Sequence, residues 1–195
     1  CGQLLHHLDE KKLADDTIVL YVTDNGWIQR ADNGRYAPRS KRSQYDGGLR
    51  TPIMVRWPGK VKPEDRPELA NSIDLAPTIL KACGIAPTKA MQGIDLLDDT
   101  ALAKRKSTYG AIYLHNAVDI HKPSANLTYR WLINGDWKLI LPHKENVTNK
   151  AKHKGTGEIE LYNLAKDPHE RSNLTKTRQG RTKRLAKQLN KLLPE

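Results

Sequence analysis

The strongest constraint on this chain lies in Thr17 to Gly26, Thr-Ile-Val-Leu-Tyr-Val-Thr-Asp-Asn-Gly, where an apolar, β-branched run stops at a carboxylate, a carboxamide and a glycine. The run predicts a buried strand, and the polar stop marks its carboxyl end. In open α/β sheets ligands bind beyond the carboxyl ends of the strands, and an Asp carboxylate and an Asn amide oxygen are hard donors suited to hard cations. Asp24 and Asn25 are therefore candidate metal ligands. The same tripeptide is good turn chemistry, so a strand closed by a plain turn also accounts for it.

The neighbouring segments supply the rest of an α/β layer. Leu4, Leu5, Leu8 and Leu13 recur at helical spacing over Gly2 to Leu13, and Ile53 to Trp57 reads as a second short strand stopped by Pro58-Gly59. Asp74 is placed to cap a helix running from Leu75 to Cys83. From about Ser107 the pattern changes to hairpins. Strands are expected at Tyr109 to Leu114, Tyr129 to Ile133, Trp137 to Leu141 and Ile159 to Leu164, with Asn134-Gly135 as the clearest hairpin turn. Arg181 to Leu193 sets Leu185, Leu189, Leu192 and Leu193 on one helical face and Lys183, Arg184, Lys187 and Lys191 on the others. The expected fold class is α/β: a sheet domain over residues 1–105, followed over 106–195 by a small four-stranded antiparallel sheet packed with a terminal helix. Lys144 to Gly157 is polar enough to be a mobile loop.

The 195 residues suffice for a sizeable core, and no apolar run is long enough to span a bilayer. No signal peptide pattern is present, but the chain starts at Cys1 inside an apparent helix, so a fragment is expected and location stays open. Two cysteines make no disulfide framework, and Cys83 is expected to be a buried small hydrophobe. The net charge is +11, and Lys144 to Glu195 holds 13 Lys and Arg against 6 Asp and Glu. Basicity is thus largely a property of the tail, either as a solvated helix face or as a polyanion-binding surface. Few aromatic residues are interleaved there, which argues against stacking on single-stranded nucleic acid.

Lys41 is a further candidate, standing shortly before Gly47-Gly48 with a compact ammonium suited to sulfate or phosphate. Its alternative is a solvated place in the basic run Arg39-Ser40-Lys41-Arg42. Val22-Thr23-Asp24-Asn25-Gly26 followed by Lys41-Arg42-Ser43-Gln44-Tyr45-Asp46-Gly47-Gly48-Leu49-Arg50-Thr51-Pro52 resembles the C-terminal half of the sulfatase family, in the alkaline-phosphatase-like superfamily. Ile73-Asp74-Leu75-Ala76-Pro77-Thr78, Asn134-Gly135-Asp136-Trp137-Lys138-Leu139-Ile140 and Glu160-Leu161-Tyr162-Asn163-Leu164 with Asp167-Pro168 are similar to the same family, in the same order. The resemblance implies that Asp24 and Asn25 ligate one divalent cation, Ca2+, and that Lys41 contacts the sulfate group and acts in catalysis. It implies attack on sulfur by a formylglycine hydrate, with Asp46 and Arg50 fixing the loop. His115, at a predicted strand end, is the histidine expected to touch substrate at the pocket mouth.

The chain departs from that pattern where the nucleophile is concerned. No Cys/Ser-x-Pro-x-Arg motif occurs, and Cys1 is followed by Gly2-Gln3-Leu4-Leu5. The implied formylglycine, remaining metal ligands and missing N-terminal part therefore belong to a parent protein expected to be periplasmic or secreted. Expected partners are a sulfated small molecule or sulfated carbohydrate, with no nucleic acid and no membrane span. A phosphodiesterase or phosphonate hydrolase on the same scaffold is the alternative enzyme. Asn126, Asn146 and Asn173 begin glycosylation sequons, whose number is close to chance.

Overall fold

The computed structural model describes residues 1–27, 30, 32, 34, 36–147 and 155–194, so part of the loop expected at Lys144 to Gly157 lies outside the described residues. The chain divides into two compact units, one of Cys1–Thr23 with Pro52–Lys106 and one of Asp24–Thr51 with Ser107–Glu195.

The first unit holds helix α1 (Gly2–Glu10), strand β1 (Val19–Val22), strand β2 (Ile53–Arg56) and helices α3 (Leu75–Ala82) and α4 (Asp99–Lys104). β1 and β2 pair antiparallel, Val19 opposite Arg56 and Val22 opposite Ile53. Arg56 donates to Asp9 at 2.8 Å and the Trp57 indole to the Asp15 carbonyl at 2.9 Å, tying β2 to the end of α1 and the turn after it. β1 is less buried than its apolar run predicts: Tyr21 is 44% exposed and Val22 38%. A two-stranded sheet cannot cover both of its own faces.

Asp74 is not the side-chain cap of α3. It is itself helical, and its wholly buried carboxylate accepts from the backbone of Asn71 at 2.7 Å and Ile94 at 2.9 Å, while Arg105 forks onto it, 2.7 Å on one arm. Asn71 instead caps the 3₁₀ turn Ser72–Asp74. Cys83 is exposed, because it stands at the C-cap after α3 ends at Ala82 rather than in a core; both cysteines are free thiols.

The second unit contains the short helix α2 (Asp46–Leu49) and a four-stranded antiparallel sheet of β3 (Ser107–Tyr113), β4 (Leu127–Asn134), β5 (Trp137–Pro142) and β6 (Glu160–Asn163), in that order. Asn134 pairs with Trp137, so the two-residue hairpin loop is Gly135-Asp136, one residue later than expected, with Gly135 supplying φ +54°. Alternation then sorts the side chains onto two faces. Leu132, Leu139, Leu141 and Leu161 meet Leu185 and Leu189 of helix α5 (Gln179–Leu192). Tyr129, Trp131, Ile140 and Tyr162 point the other way and pack with Tyr45 and Leu49. One face of the sheet thus carries the terminal helix and the opposite face carries the Lys41-to-Leu49 segment.

The sequon asparagines act as loop staples. Asn126 is buried, with Val118 and Asp119 donating to its amide oxygen and its NH₂ donating to Asp119 and Lys122 carbonyls. The Asn146 amide donates to the Ser124 and Leu127 carbonyls, and that of Asn173 to the Ile159 carbonyl.

Candidate functional site

Within the second unit, Gly26 and Trp27 and the glycine-pair loop are stitched together through backbone. Gly26 N donates to the Gly48 carbonyl at 3.0 Å, Trp27 N to that of Gly47, and Lys41 N to that of Trp27 at 3.0 Å. The approach requires glycine on both sides. A Cβ on Gly26 would lie 2.5 Å from the Gly47 carbonyl oxygen, and one on Gly48 would strike the carbonyls of Ser40 and Ser43. Gly48→Ala is expected to destabilise the second unit by about 1–3 kcal/mol, visible as a lowered thermal midpoint, since backbone oxygens cannot swing aside as a side chain can. An unchanged midpoint would mean that the loop simply shifts.

That stitching brings three of the predicted residues together. Lys41 Nζ lies 3.7 Å from an Asp24 carboxylate oxygen, with the Asp24 side chain 84% exposed and that of Lys41 33%. An ion pair so open to water contributes little to stability. The neighbouring Asn25 amide donates from Nδ2 to the Gly26 carbonyl at 2.8 Å, which fixes its plane, and its Oδ1 is buried. Arg39 and Arg42, on either side of Lys41, have φ of 54° and 70°, a left-handed conformation that costs bulky residues roughly 1–2 kcal/mol each. The surrounding structure must therefore hold this turn in place.

What holds it is a polar network on the sheet face below. The Tyr45 hydroxyl donates to the Glu160 carboxylate at 3.0 Å, Thr156 donates at 3.0 Å, and Tyr162 donates to the same group. Burial, with the Glu160 carboxylate beside them, raises the phenols of Tyr45 and Tyr162 above their ordinary range, and burial pushes Tyr129 up to about 12. All three stay neutral; Tyr45 and Tyr162 donate to Glu160, whereas the Tyr129 hydroxyl accepts from the Gly157 backbone N–H at 3.0 Å. The Arg39 guanidinium lies 4.5 Å over the Tyr45 ring, adding a cation–π contact. Next to this, the fully buried Lys138 ammonium sits 2.9 Å from Asp46 and 2.9 Å from Glu170. Glu170 also accepts from the Asp46 backbone N–H at 2.6 Å. Burial pushes the Glu170 carboxyl above its usual range, with the Lys138 ammonium pulling the other way.

Asp46 thus fixes the loop as expected of it, but Arg50 does not. The Arg50 side chain is 81% exposed and only 4.0 Å from Asp46, because Lys138 has taken the buried position. Lys138, Glu160 and Glu170 were not singled out by sequence reasoning. Their signal was there to find: a lysine inside Trp137-Lys138-Leu139-Ile140 and a glutamate opening Glu160-Leu161-Tyr162 are charges in strands whose neighbours are apolar. His115 is exposed just past the end of β3, and among the described residues no hydrogen bond or ion pair ties it to Asp24, Asn25 or Lys41.

The donor chemistry fits a hard cation in part. Asp24 and Asn25 supply a carboxylate and an amide oxygen at consecutive positions, the carboxylate exposed and the amide oxygen buried, whereas Ca2+ takes about 6–8 oxygens. Among the described residues no group of three or more His, Cys, Asp or Glu is arranged to hold a metal. No described helix is long and apolar enough to cross a membrane.

Comparison with known proteins identifies the family. Residues 34–195 match the family described as N-sulphoglucosamine sulphohydrolase, C-terminal; Lys41 and His115 fall inside the match, Asp24 and Asn25 before it. Human arylsulfatase A is 27% identical over 209 residues, covering 98% of this chain and 40% of that protein. An N-acetylgalactosamine-6-O-sulfatase of Bacteroides thetaiotaomicron is 26% identical over 196 residues, covering 90% of this chain and 36% of its own length. A solved structure of a protein in complex with its substrate D-glucosamine-2-N,6-O-disulfate superposes with a TM-score of 0.63 at 24% identity, covering 98% of this chain and 36% of that one. The chain therefore spans well under half the length of these relatives.

Proposed function

Since the chain belongs to the family of N-sulphoglucosamine sulphohydrolase C-terminal regions, we propose that its parent hydrolyses sulfate esters of carbohydrates and that this chain supplies one edge of the active site. The observation that carries the reading is the convergence of Lys41 and Asp24 at 3.7 Å on a turn braced by three backbone bonds. Support for a sugar substrate comes from the relatives, named for or bound to sulfated or N-acetylated sugars.

In this reading Asp24 and Asn25 provide two oxygen ligands to a Ca2+ ion whose other ligands lie outside this chain. A cation there supplies positive charge against the sulfate oxygens. Lys41 adds a second positive charge from the loop side and stabilises the negative charge that builds on those oxygens as the ester bond breaks. Asp24, 3.7 Å away, helps to orient the ammonium. His115 is the proposed contact to the sugar at the mouth of the pocket. The attacking group is a formylglycine outside residues 1–195, in a protein exported to the periplasm or secreted.

In the parent enzyme Lys41→Ala should lower kcat by about 10²–10³-fold with little change in calcium affinity. Asp24→Ala should both abolish turnover and weaken calcium binding measured by direct titration. Calcium binding unchanged in the Asp24 variant would remove the ligand assignment. Faster turnover of phosphate diesters than of aryl or sugar sulfates by the parent would favour the phosphodiesterase alternative instead.

A further inference from the structure

Between Arg171 and Pro194 the chain carries eight Lys and Arg and no Asp or Glu. Leu185 and Leu189 set one side of α5 against the sheet. Lys183, Arg184, Lys187 and Lys191 emerge on the opposite side, all exposed, over about 12 Å of helix axis. Lys183 and Lys187, and Lys187 and Lys191, are four residues apart, and Arg184 and Lys187 three apart. Like charges at those spacings repel along a helix. Arg178 and Arg181 at the N-terminal end further oppose the helix dipole, and the first turn holds no acidic residue to compensate. Among the described residues no ion pair engages any of the four stripe cations. The arrangement works against the stability of the helix and contributes nothing to its packing.

We propose that this face of α5 binds a sulfated glycan chain. The proposal rests on the sulfated-carbohydrate reading above, and it adds a second point of attachment. α5 and the Lys41 loop cover opposite faces of one sheet, so a sulfate on the stripe cannot be the one beside Lys41. The ligand is therefore an extended polymer whose other residues lie along the helix. The stripe has no aromatic side chain on which bases would stack, which favours a sulfated sugar over single-stranded nucleic acid.

The test uses the 195-residue chain and its fourfold variant Lys183→Gln, Arg184→Gln, Lys187→Gln, Lys191→Gln. Binding to heparin, chemically desulfated heparin and duplex DNA is measured across a salt series. The wild-type chain should prefer heparin to both controls. The variant should bind heparin at least tenfold more weakly at physiological salt, with the slope of log affinity against log salt reduced by about three. Its thermal midpoint should be equal or higher, because no paired charge is lost. Unchanged heparin binding by the variant, equal binding to desulfated heparin, or tighter binding to DNA would overturn the proposal. Lys41→Ala should retain heparin binding in full, so a failure of the stripe and a failure of the Lys41 assignment give different results.

Discussion

Lys138→Met is expected to destabilise the second unit by about 3–5 kcal/mol, the cost of removing one partner from a buried ion pair. Methionine fills nearly the same space, so the loss is electrostatic rather than a cavity. It leaves the carboxylates of Asp46 and Glu170, each now without the ammonium 2.9 Å away, facing one another in the interior. The pH dependence identifies the cause. The Glu170 carboxyl is already raised from its ordinary value of 4.5, chiefly by burial, and loss of the ammonium raises it further. A carboxyl whose folded-state pKa is raised contributes stability that is fully present below the unfolded value and lost as pH rises through the folded one. The variant should therefore lie closest to wild type below about pH 4.5 and fall away from it as pH increases. Lys138→Met with Glu170→Gln should recover part of the loss at neutral pH. A pH-independent deficit would mean that packing, not charge, is what Lys138 provides. Because the pair holds Asp46 under the glycine loop, turnover by the parent should fall in step with stability.

Arg105→Met is expected to cost a similar amount, about 3–5 kcal/mol, but in the first unit. Asp74 is wholly buried and keeps its two backbone donors, Asn71 N and Ile94 N, when the guanidinium is removed. Those two bonds do not neutralise it. Hydrogen exchange should localise the damage: the amides of Ile94 and Leu96, which donate to Asp74 and Thr78, should lose protection while those of β4 and β5 keep theirs. Arg105→Lys should rescue little, since a single ammonium cannot reproduce the two-pronged contact. Loss of protection in β4 in the Arg105 variant would show that the two units unfold as one.

The two substitutions also separate what sequence reading reaches from what it misses. Asp24, Asn25 and Lys41 stand out as candidates because each lies where local chemistry is conspicuous, at a strand end or before a glycine pair. The strands from Ser107 onward were legible because alternation and a tight turn are local signals. Asp74 was misread as a helix cap because its position before Leu75 fits one, and nothing nearby in the chain announces Arg105, 31 residues on. Arg50 was misread for the same reason. A sequence neighbour of Asp46 looks like its partner until a lysine 92 residues away is placed beneath it.

The sequence by itself determined the strands, the three longer helices, their order and the chemical types at the end of β1, though not the short helices α2 and α4, because strand alternation, helix periodicity and glycine turns depend on residues a few positions apart. It also determined the excess of positive charge in the tail. Only the tertiary structure decided that the Lys41 loop rests on the C-terminal sheet rather than standing alone, and that α5 covers the other face. Burying Lys138 requires both Asp46 and Glu170 to arrive from distant parts of the chain, and charges are tolerated in an interior only when such partners meet. That condition is met by the fold as a whole and is written in no single stretch of residues.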